Sequence, residues 1–129
     1  MKIILDTHIF LWAISDPDRL SSRVQEIIRD AKNEVLLSII SIWEIAVKSS
    51  LGKLEVPRPA VAFVQRQLAA HRRGILLLRF SHLSALEKLP WHHRDPFDRL
   101  LLAQCLEEGA SLVTVDKELH RYDDVEILS

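Results

Sequence analysis

The chain has 129 residues and is 48% hydrophobic, which is enough for one domain with a substantial core and too short for two comfortable ones. Its 17 Lys and Arg side chains against 18 Asp and Glu side chains give a net charge of −1, which argues against attachment to nucleic acid through overall positive charge. The single cysteine, Cys105, excludes a disulfide framework and a cysteine-based metal site.

Short apolar runs alternate with helical patterns along the chain. The predicted strands are residues 2–5, 34–38, 75–79, 111–115 and 125–128, and each run is typical of a buried parallel strand. The predicted helices are residues 20–32, 41–50, 59–72, 81–88 and 97–108. This alternation predicts an α/β fold with a mainly parallel central sheet covered by helices on both faces, in a single domain spanning residues 1–129.

Two further features concern surfaces. Residues 9–14 are apolar on every face of a helix, and residues 42–47 are similar, so we expect part of each to contact a partner chain. The helical stretch between residues 39 and 74 is a candidate clamp or interface. No apolar run approaches the length of a membrane span, and the start of the chain falls far short of a signal peptide, so we expect a soluble, cytoplasmic protein.

Basic side chains concentrate between residues 57 and 94, where Glu87 is the one acid. This stretch is either a local binding face for a polyanion or a solvated helix face. Its basic residues are Arg58, Arg66, Arg72, Arg73, Arg79, Lys88 and Arg94.

Four acidic residues fall where the predicted strands end and the helices begin. Asp6 and Asp116 follow the first and fourth strands, while Glu44 and Asp98 lie in the first turns of helices that begin near residues 41 and 95. In a parallel α/β sheet these positions share one edge, where ligands usually bind. We therefore expect the four carboxylates to lie close together.

Each acid also has a simpler explanation when it is taken singly. Asp6 and Asp116 fit helix N-caps, Ser41 to Glu44 matches a capping box, and residues 95–98 combine an N-cap, a proline and a first-turn acid. Glu44 could also pair with Lys48 one turn later.

Taken together, the acids favour a bound cation. Two carboxylates about 4 Å apart repel by roughly 4 kcal/mol at an effective dielectric constant near 20, which a helix N-terminus worth about 0.3–1 kcal/mol does not offset. Oxygen ligands with room for water suit Mg²⁺ or Mn²⁺ rather than zinc, and nucleases hold metal against a scissile phosphate in such open sites.

Three segments in this order resemble the PIN-domain family, and specifically the VapC-type toxins of toxin–antitoxin systems: ILDTHIFLW, SIISIWEIAVKSSLGKL and HHRDPFDRLLLAQCLEEGASLVTVDKEL. The resemblance spans essentially the whole chain. It implies a three-layer α/β/α sandwich, Mg²⁺- or Mn²⁺-dependent cleavage of RNA, a cognate antitoxin that neutralises the activity, and a homodimer. The family's acidic site maps onto Asp6, Glu44, Asp98 and Asp116, with no departure at any of the four.

On this interpretation Asp6, Asp98 and Asp116 hold one or two metal ions directly or through water, and Glu44 supports them or a second ion. Hydrolysis then proceeds by a metal-activated water. Thr7 and Thr114 are candidates to orient that water or a phosphate oxygen, although for Thr114 an ordinary β-branched strand residue is the favoured interpretation.

Three residues near the third acid are candidates to contact substrate phosphate: His93, Arg94 and Arg99. Arg99 could instead hold a neighbouring carboxylate. His8, two residues after the first acid, is interpreted as a helix residue rather than a ligand, because a hard cation prefers oxygen.

Other classes of protein fit the sequence less well. A haloacid-dehalogenase-like phosphatase needs a second acid two residues after Asp6, where this chain has His8, and a response-regulator receiver needs a different order of acids and lysine. A non-catalytic, PIN-like binding or regulatory module remains open, with its acids retained as caps. Metal titration separates the last alternative, because a ligand that binds only the folded state must stabilise it.

Overall fold

The computed structural model describes residues 1–129. Short 3₁₀ helices at Pro17–Arg19 and Lys117–Arg121 lie in the connections between the main elements. The strands and helices are, in chain order, β1 (Lys2–Leu5), α1 (Thr7–Ser15), α2 (Ser22–Arg29), β2 (Glu34–Ser38), α3 (Ile39–Ser50), α4 (Ala60–Ala70), β3 (Gly74–Leu76), α5 (Phe80–Lys88), α6 (Pro96–Glu108), β4 (Ser111–Val113) and β5 (Ile127–Leu128).

The five strands form one sheet in the order β3-β2-β1-β4-β5, and every pair is parallel. The first strand of the chain is therefore the central one, with Leu5 paired to Leu37 on one side and to Val113 on the other. The strand order reverses at β1, and the crevice at such a reversal is where open α/β sheets bind ligands. The carboxyl ends of β1, β2 and β4 meet at this edge.

Alternate side chains of β1 supply two separate cores. Ile3 and Leu5 pack with apolar residues of α1 to α4, whereas Ile4 packs on the other face with α5 and α6. All three side chains are at most 2% exposed. The predicted three-layer α/β/α sandwich is thus confirmed, because a strand buried on both faces must be apolar throughout. No helix of the structure combines the length and the apolar character that crossing a membrane requires.

The predicted elements are present, and their ends differ from the prediction. The third and fourth strands end at Leu76 and Val113, earlier than their apolar runs, and the last strand has two residues. At the end of α6, Gly109 adopts a φ of 63°, a left-handed conformation in which its N–H reaches the carbonyl of Cys105.

The start of α3 corrects one prediction. The helix begins at Ile39, and its N-cap is Ser38, whose hydroxyl accepts a hydrogen bond from the Ile40 N–H at 3.0 Å. The predicted capping box from Ser41 to Glu44 is therefore wrong, because both residues lie inside the helix and are buried. Ser38 serves as the N-cap because it is the last residue of β2, where the chain already has the extended conformation that an N-cap needs.

A polar cluster joins α5, α6 and the start of β1. The buried His82 accepts a hydrogen bond from the Arg79 backbone N–H at its Nδ1 atom, and its Nε2 atom lies 2.8 Å from Glu108 Oε2. Glu108 also forms ion pairs with the Arg79 guanidinium and, at 3.4 Å, with Lys2. Hydrogen bonding from His82, together with Lys2 and Arg79, lowers the pKa of Glu108.

Candidate metal centre

The four predicted acids line one cavity at the carboxyl edge of the sheet. Its volume is about 350 Å³, and Asp6, Glu44, Asp98 and Asp116 all contribute to the wall. The rest of the lining consists of His8, Trp12, Lys48, Asp95 and Val115. The acids come from four separate elements. The parallel sheet brings them together, as their positions at strand ends and helix starts predicted.

Asp6 is both a helix cap and part of the cavity wall. One of its oxygens, Oδ1, accepts a hydrogen bond from the Thr7 N–H at 2.6 Å and caps α1, while Oδ2 accepts one from the Thr114 hydroxyl at 2.6 Å. Burial raises the pKa of this carboxyl, although the two hydrogen bonds oppose the effect. Each carboxylate oxygen has a second lone pair, so capping leaves Asp6 able to bind a cation.

Asp98 is the acid whose protonation the fold perturbs most. It lies in the first turn of α6, where the N-cap Asp95 accepts hydrogen bonds from the N–H groups of Phe97 and Asp98. Burial raises the pKa of Asp98 to about 7, and the negative charge of Asp6 adds to the rise. Two close carboxylates therefore compete for ionisation at neutral pH, as expected of a site built around positive charge.

Asp116 meets Asp98 through His93. The Nε2 atom of His93 lies 2.9 Å from Asp98 Oδ2 and 3.8 Å from Asp116 Oδ2. One donor atom from each of these three residues lies within 4.8 Å of the others, an arrangement that could hold one metal ion. The sequence prediction treated His93 as a contact to substrate, and its position beside the acids adds a possible nitrogen ligand to the all-oxygen set.

Thr114 has a more specific place than the ordinary strand residue that the sequence favoured. It is completely buried, lies just beyond β4, and donates its hydroxyl hydrogen to Asp6. The same oxygen accepts a hydrogen bond from the Asp116 N–H at 3.1 Å. Thr114 therefore fixes two of the acids relative to each other, and it leaves no hydroxyl hydrogen for water or phosphate.

Glu44 is held by neighbouring side chains on both of its oxygens. The Thr7 hydroxyl lies 2.6 Å from Glu44 Oε1, and the ammonium group of Lys48 lies 2.5 Å from Glu44 Oε2. Thr7 also lies 2.9 Å from the Ser41 hydroxyl, so it orients Glu44 rather than a water. The i, i+4 pair of Glu44 with Lys48, proposed as a simple alternative, is present within the cavity wall.

Lys48 is a functional candidate that was not predicted from the sequence, where it stood out only as a partner for Glu44. Its ammonium group is a positive charge in a cavity otherwise dominated by carboxylates. The hydrogen bond to Glu44 raises the pKa of Lys48, so the side chain stays charged at neutral pH. Its signal in the sequence was the spacing of four residues from Glu44, which alone is common on helix surfaces.

Two of the predicted phosphate contacts are not at the acids. Arg94 and Arg99 line a different cavity, whose wall includes none of the four acids. Arg99 is 4% exposed and donates to the Pro90 carbonyl at 2.8 Å and to the Tyr122 hydroxyl at 3.1 Å. The structure pairs it with no carboxylate, so its charge is satisfied by carbonyl and hydroxyl oxygens instead.

The donor set fits a divalent cation. Burial raises the pKa of both Asp6 and Asp98. Repulsion from Glu44 adds to the rise at Asp6, and repulsion from Asp6 adds to the rise at Asp98, so a nearby cation would oppose these effects. Carboxylate oxygens are the ligands that Mg²⁺ and Mn²⁺ prefer. The cavity also has room for the water molecules that such ions retain.

Comparison with known proteins gives a consistent result. A family model described as PIN domain matches residues 3–125. Ribonuclease VapC22 of Mycobacterium tuberculosis is 31% identical over 122 residues, which cover 93% of this chain and 92% of that protein. Ribonuclease VapC16 of the same organism is 42% identical over a shorter stretch of 43 residues, 33% of this chain and 30% of that protein.

Solved structures share the fold. VapBC2 from Rickettsia felis, bound to a DNA fragment from its promoter, matches with a TM-score of 0.75 at 18% identity, over 99% of this chain and 98% of the other. VapBC-1 from nontypeable Haemophilus influenzae matches with a TM-score of 0.74 at 19% identity, over 100% of this chain and 98% of the other. At these identities the likeness shows a shared fold.

Proposed function

The chain belongs to the PIN domain family, and from that premise we propose that it is a metal-dependent endoribonuclease, the toxin of a toxin–antitoxin pair. The observation that carries the proposal is the convergence of Asp6, Glu44, Asp98 and Asp116 from four elements on one cavity. Ribonuclease VapC22, which is similar along nearly its whole length, supports RNA as the substrate. The VapBC structures support an antitoxin as partner. The location in this proposal is the cytoplasm.

The cation in this proposal is Mg²⁺ or Mn²⁺, held by Asp6, Asp98 and Asp116, with His93 close enough to contribute a nitrogen. When bound, such an ion lowers the pKa of a water in the cavity and stabilises negative charge on the phosphate oxygens. Thr114 keeps the Asp6 carboxylate in position through its hydrogen bond, and its contact with the Asp116 backbone fixes the second acid.

Glu44 and Lys48 have a different task in this mechanism. Glu44 holds the Lys48 ammonium at the cavity wall, and that ammonium is a point charge suited to a phosphate oxygen of the substrate. A substrate phosphate therefore meets one protein cation and a group of carboxylates in the same cavity. Further positive charge is needed among the carboxylates before the phosphate can approach them.

A second copy of the chain is also among the proposed partners. Five apolar side chains are exposed along β3 and the start of α5: Ile75, Leu77, Leu78, Phe80 and Leu83. Phe80 is 90% exposed, and β3 is an edge strand with one side unpaired. Exposed apolar groups on a sheet edge are typical of an interface.

The test of the activity is cleavage of total cellular RNA by the purified protein with Mg²⁺ or Mn²⁺, beside a chelator control. Asp6→Asn should abolish cleavage while remaining folded, because asparagine also caps helices. Asp124→Asn, which changes an exposed acid away from the cavity, is the matched control and should cleave normally. A wild-type protein that neither cleaves RNA nor gains stability from metal would instead be a non-catalytic binding module.

A further inference from the structure

Trp91 is the most exposed of the three tryptophans in the chain. Its side chain is 78% exposed, in the segment between α5 and α6. A large aromatic ring left in water is available to a ligand that can cover its face. The question is whether the ring is held in a fixed position, because a mobile ring would lose conformational freedom on binding.

The guanidinium group of Arg99 stacks against one face of the Trp91 ring. Its guanidinium carbon lies 3.8 Å from the centre of the Trp91 ring, the stacked arrangement that favours a cation over an aromatic face. The guanidinium is itself fixed by the Pro90 carbonyl and the Tyr122 hydroxyl. One face of the indole is therefore covered by a rigid cation, and the ring is positioned before any ligand arrives.

The surroundings of the ring suit one nucleotide. A cavity of about 310 Å³ is lined by Leu86, Glu87, Trp91, Arg94, Pro96 and Arg99. Arg94 is exposed and forms no hydrogen bond or ion pair within the chain, so its charge is available to a phosphate. Glu87 repels phosphate and accepts hydrogen bonds, which places a base rather than a phosphate inside the cavity and favours bases that carry an amino group.

Consecutive residues of the chain line this cavity and the acidic one. Asp95 lines the acidic cavity and Pro96 lines the cavity at Trp91, so one short segment contributes to both. Asp98 and Arg99 are consecutive residues, whose Cα atoms are separated by about 3.8 Å. A strand with a phosphate at the acids therefore reaches the indole within a few nucleotides.

We propose that Trp91, Arg94 and Glu87 form a base-binding subsite for single-stranded RNA beside the acidic cavity. The proposal rests on the proposed ribonuclease function and specifies its substrate: one unpaired base stacks on Trp91 while Arg94 contacts the adjoining phosphate. Stacking on an aromatic ring needs an unpaired base, because bases within a duplex already stack on each other. Double-stranded RNA is thus excluded from the subsite.

The test measures RNA binding separately from cleavage. A fluorescein-labelled single strand of ten mixed nucleotides and the corresponding duplex are titrated with protein in EDTA, and the anisotropy gives Kd. Trp91→Ala should raise Kd for the single strand about five- to a hundredfold, and Trp91→Phe should restore most of the affinity. Arg94→Ala should lower the slope of log Kd against log salt concentration by about one, whereas Arg23→Ala, which changes an exposed arginine on α2, should leave the slope unchanged.

The outcomes separate the subsite from the activity. An unchanged Kd for Trp91→Ala, in a wild-type protein that does cleave RNA, overturns the subsite and leaves the ribonuclease standing. An equal loss of affinity for single strand and duplex also overturns it, because stacking would not be the cause. Loss of self-association or antitoxin binding with RNA affinity intact would assign Trp91 to a protein interface. A wild-type protein that neither binds nor cleaves RNA overturns both proposals.

Discussion

Asp98→Asn should stabilise the metal-free protein at alkaline pH. The fold raises the pKa of Asp98 from 3.8 to about 7, chiefly through burial and through the charge of Asp6. Ionising this carboxyl in the folded protein is therefore costly, and asparagine removes the charge while keeping an oxygen that can accept a hydrogen bond from His93. The variant removes the free-energy cost of ionising the buried Asp98 carboxyl, which the wild-type protein bears when no metal is bound.

The sign and size follow from the difference in pKa between the folded and unfolded states. Because the folded pKa is the higher one, the contribution of Asp98 to the free energy of unfolding is fully present below pH 3.8. This contribution is lost as the pH rises through about 7. A shift of this size corresponds to at most about 4 kcal/mol above pH 7. Since the side chain is 15% exposed, solvent screens part of the effect, and we expect about 1–3 kcal/mol.

The assay is urea unfolding followed by circular dichroism in EDTA at pH 4 and pH 8. The difference between Asp98→Asn and wild type should be near zero at pH 4 and should reach about 1–3 kcal/mol in favour of the variant at pH 8. Asp124→Asn, an exposed acid, should show no such dependence on pH. Saturating Mg²⁺, at about a hundred times Kd, should add about 2.7 kcal/mol to the wild type and less to the Asp98 variant.

One result would refute this reasoning. If Asp98→Asn is no more stable than wild type at pH 8 in EDTA, the Asp98 carboxylate is not under electrostatic strain and serves mainly as the partner of His93. The raised pKa of Asp98 would then no longer support a metal ion in this cavity. Equal stabilisation of both proteins by Mg²⁺ would likewise remove Asp98 from the proposed ligands.

Three further changes test other parts of the structure. Thr114→Val removes the hydrogen bond to Asp6, and we expect unfolding titrations to show a loss of about 1–3 kcal/mol and calorimetry to show weaker binding of Mg²⁺. Glu108→Gln should cost more stability at pH 7 than at pH 3, because hydrogen bonding from His82 lowers the pKa of Glu108 below 4.5 and the resulting stability is lost as the pH falls through that lower value. Denaturation at the two pH values checks this, and an equal loss at both would contradict it. Phe80→Asp should convert a dimer to a monomer in light scattering, and an unaffected dimer would place the interface elsewhere.

The sequence predicted the layers of the fold and the meeting of the four acids for the same reason. Buried parallel strands are apolar throughout, so residues such as Ile3 and Ile4 identify β1, and the residue that follows such a strand lies at the ligand-binding edge. Asp6 and Asp116 follow strands in this way. Their positions depend on local patterns that a single sequence contains.

What the sequence did not predict depends on contacts between distant residues. His93 turns toward Asp98 and Arg99 turns toward Pro90 and Tyr122, although all three candidates for phosphate contact are close in sequence. The segment between α5 and α6 has no hydrophobic periodicity, so no pattern fixes the direction of its side chains. The role of Thr114 was missed because its partner, Asp6, is 108 residues away.

The central place of β1 has a consequence for how the protein is made. This strand leaves the ribosome before its neighbour β4 and before Thr114, the residue that holds Asp6. A growing chain therefore carries Asp6 without Asp98 or Asp116, and no partial product has the complete acidic cavity. We expect a nascent chain that still lacks Asp116 to be inert toward the message that encodes it, so that nuclease activity appears only after β4 and Asp116 have left the ribosome.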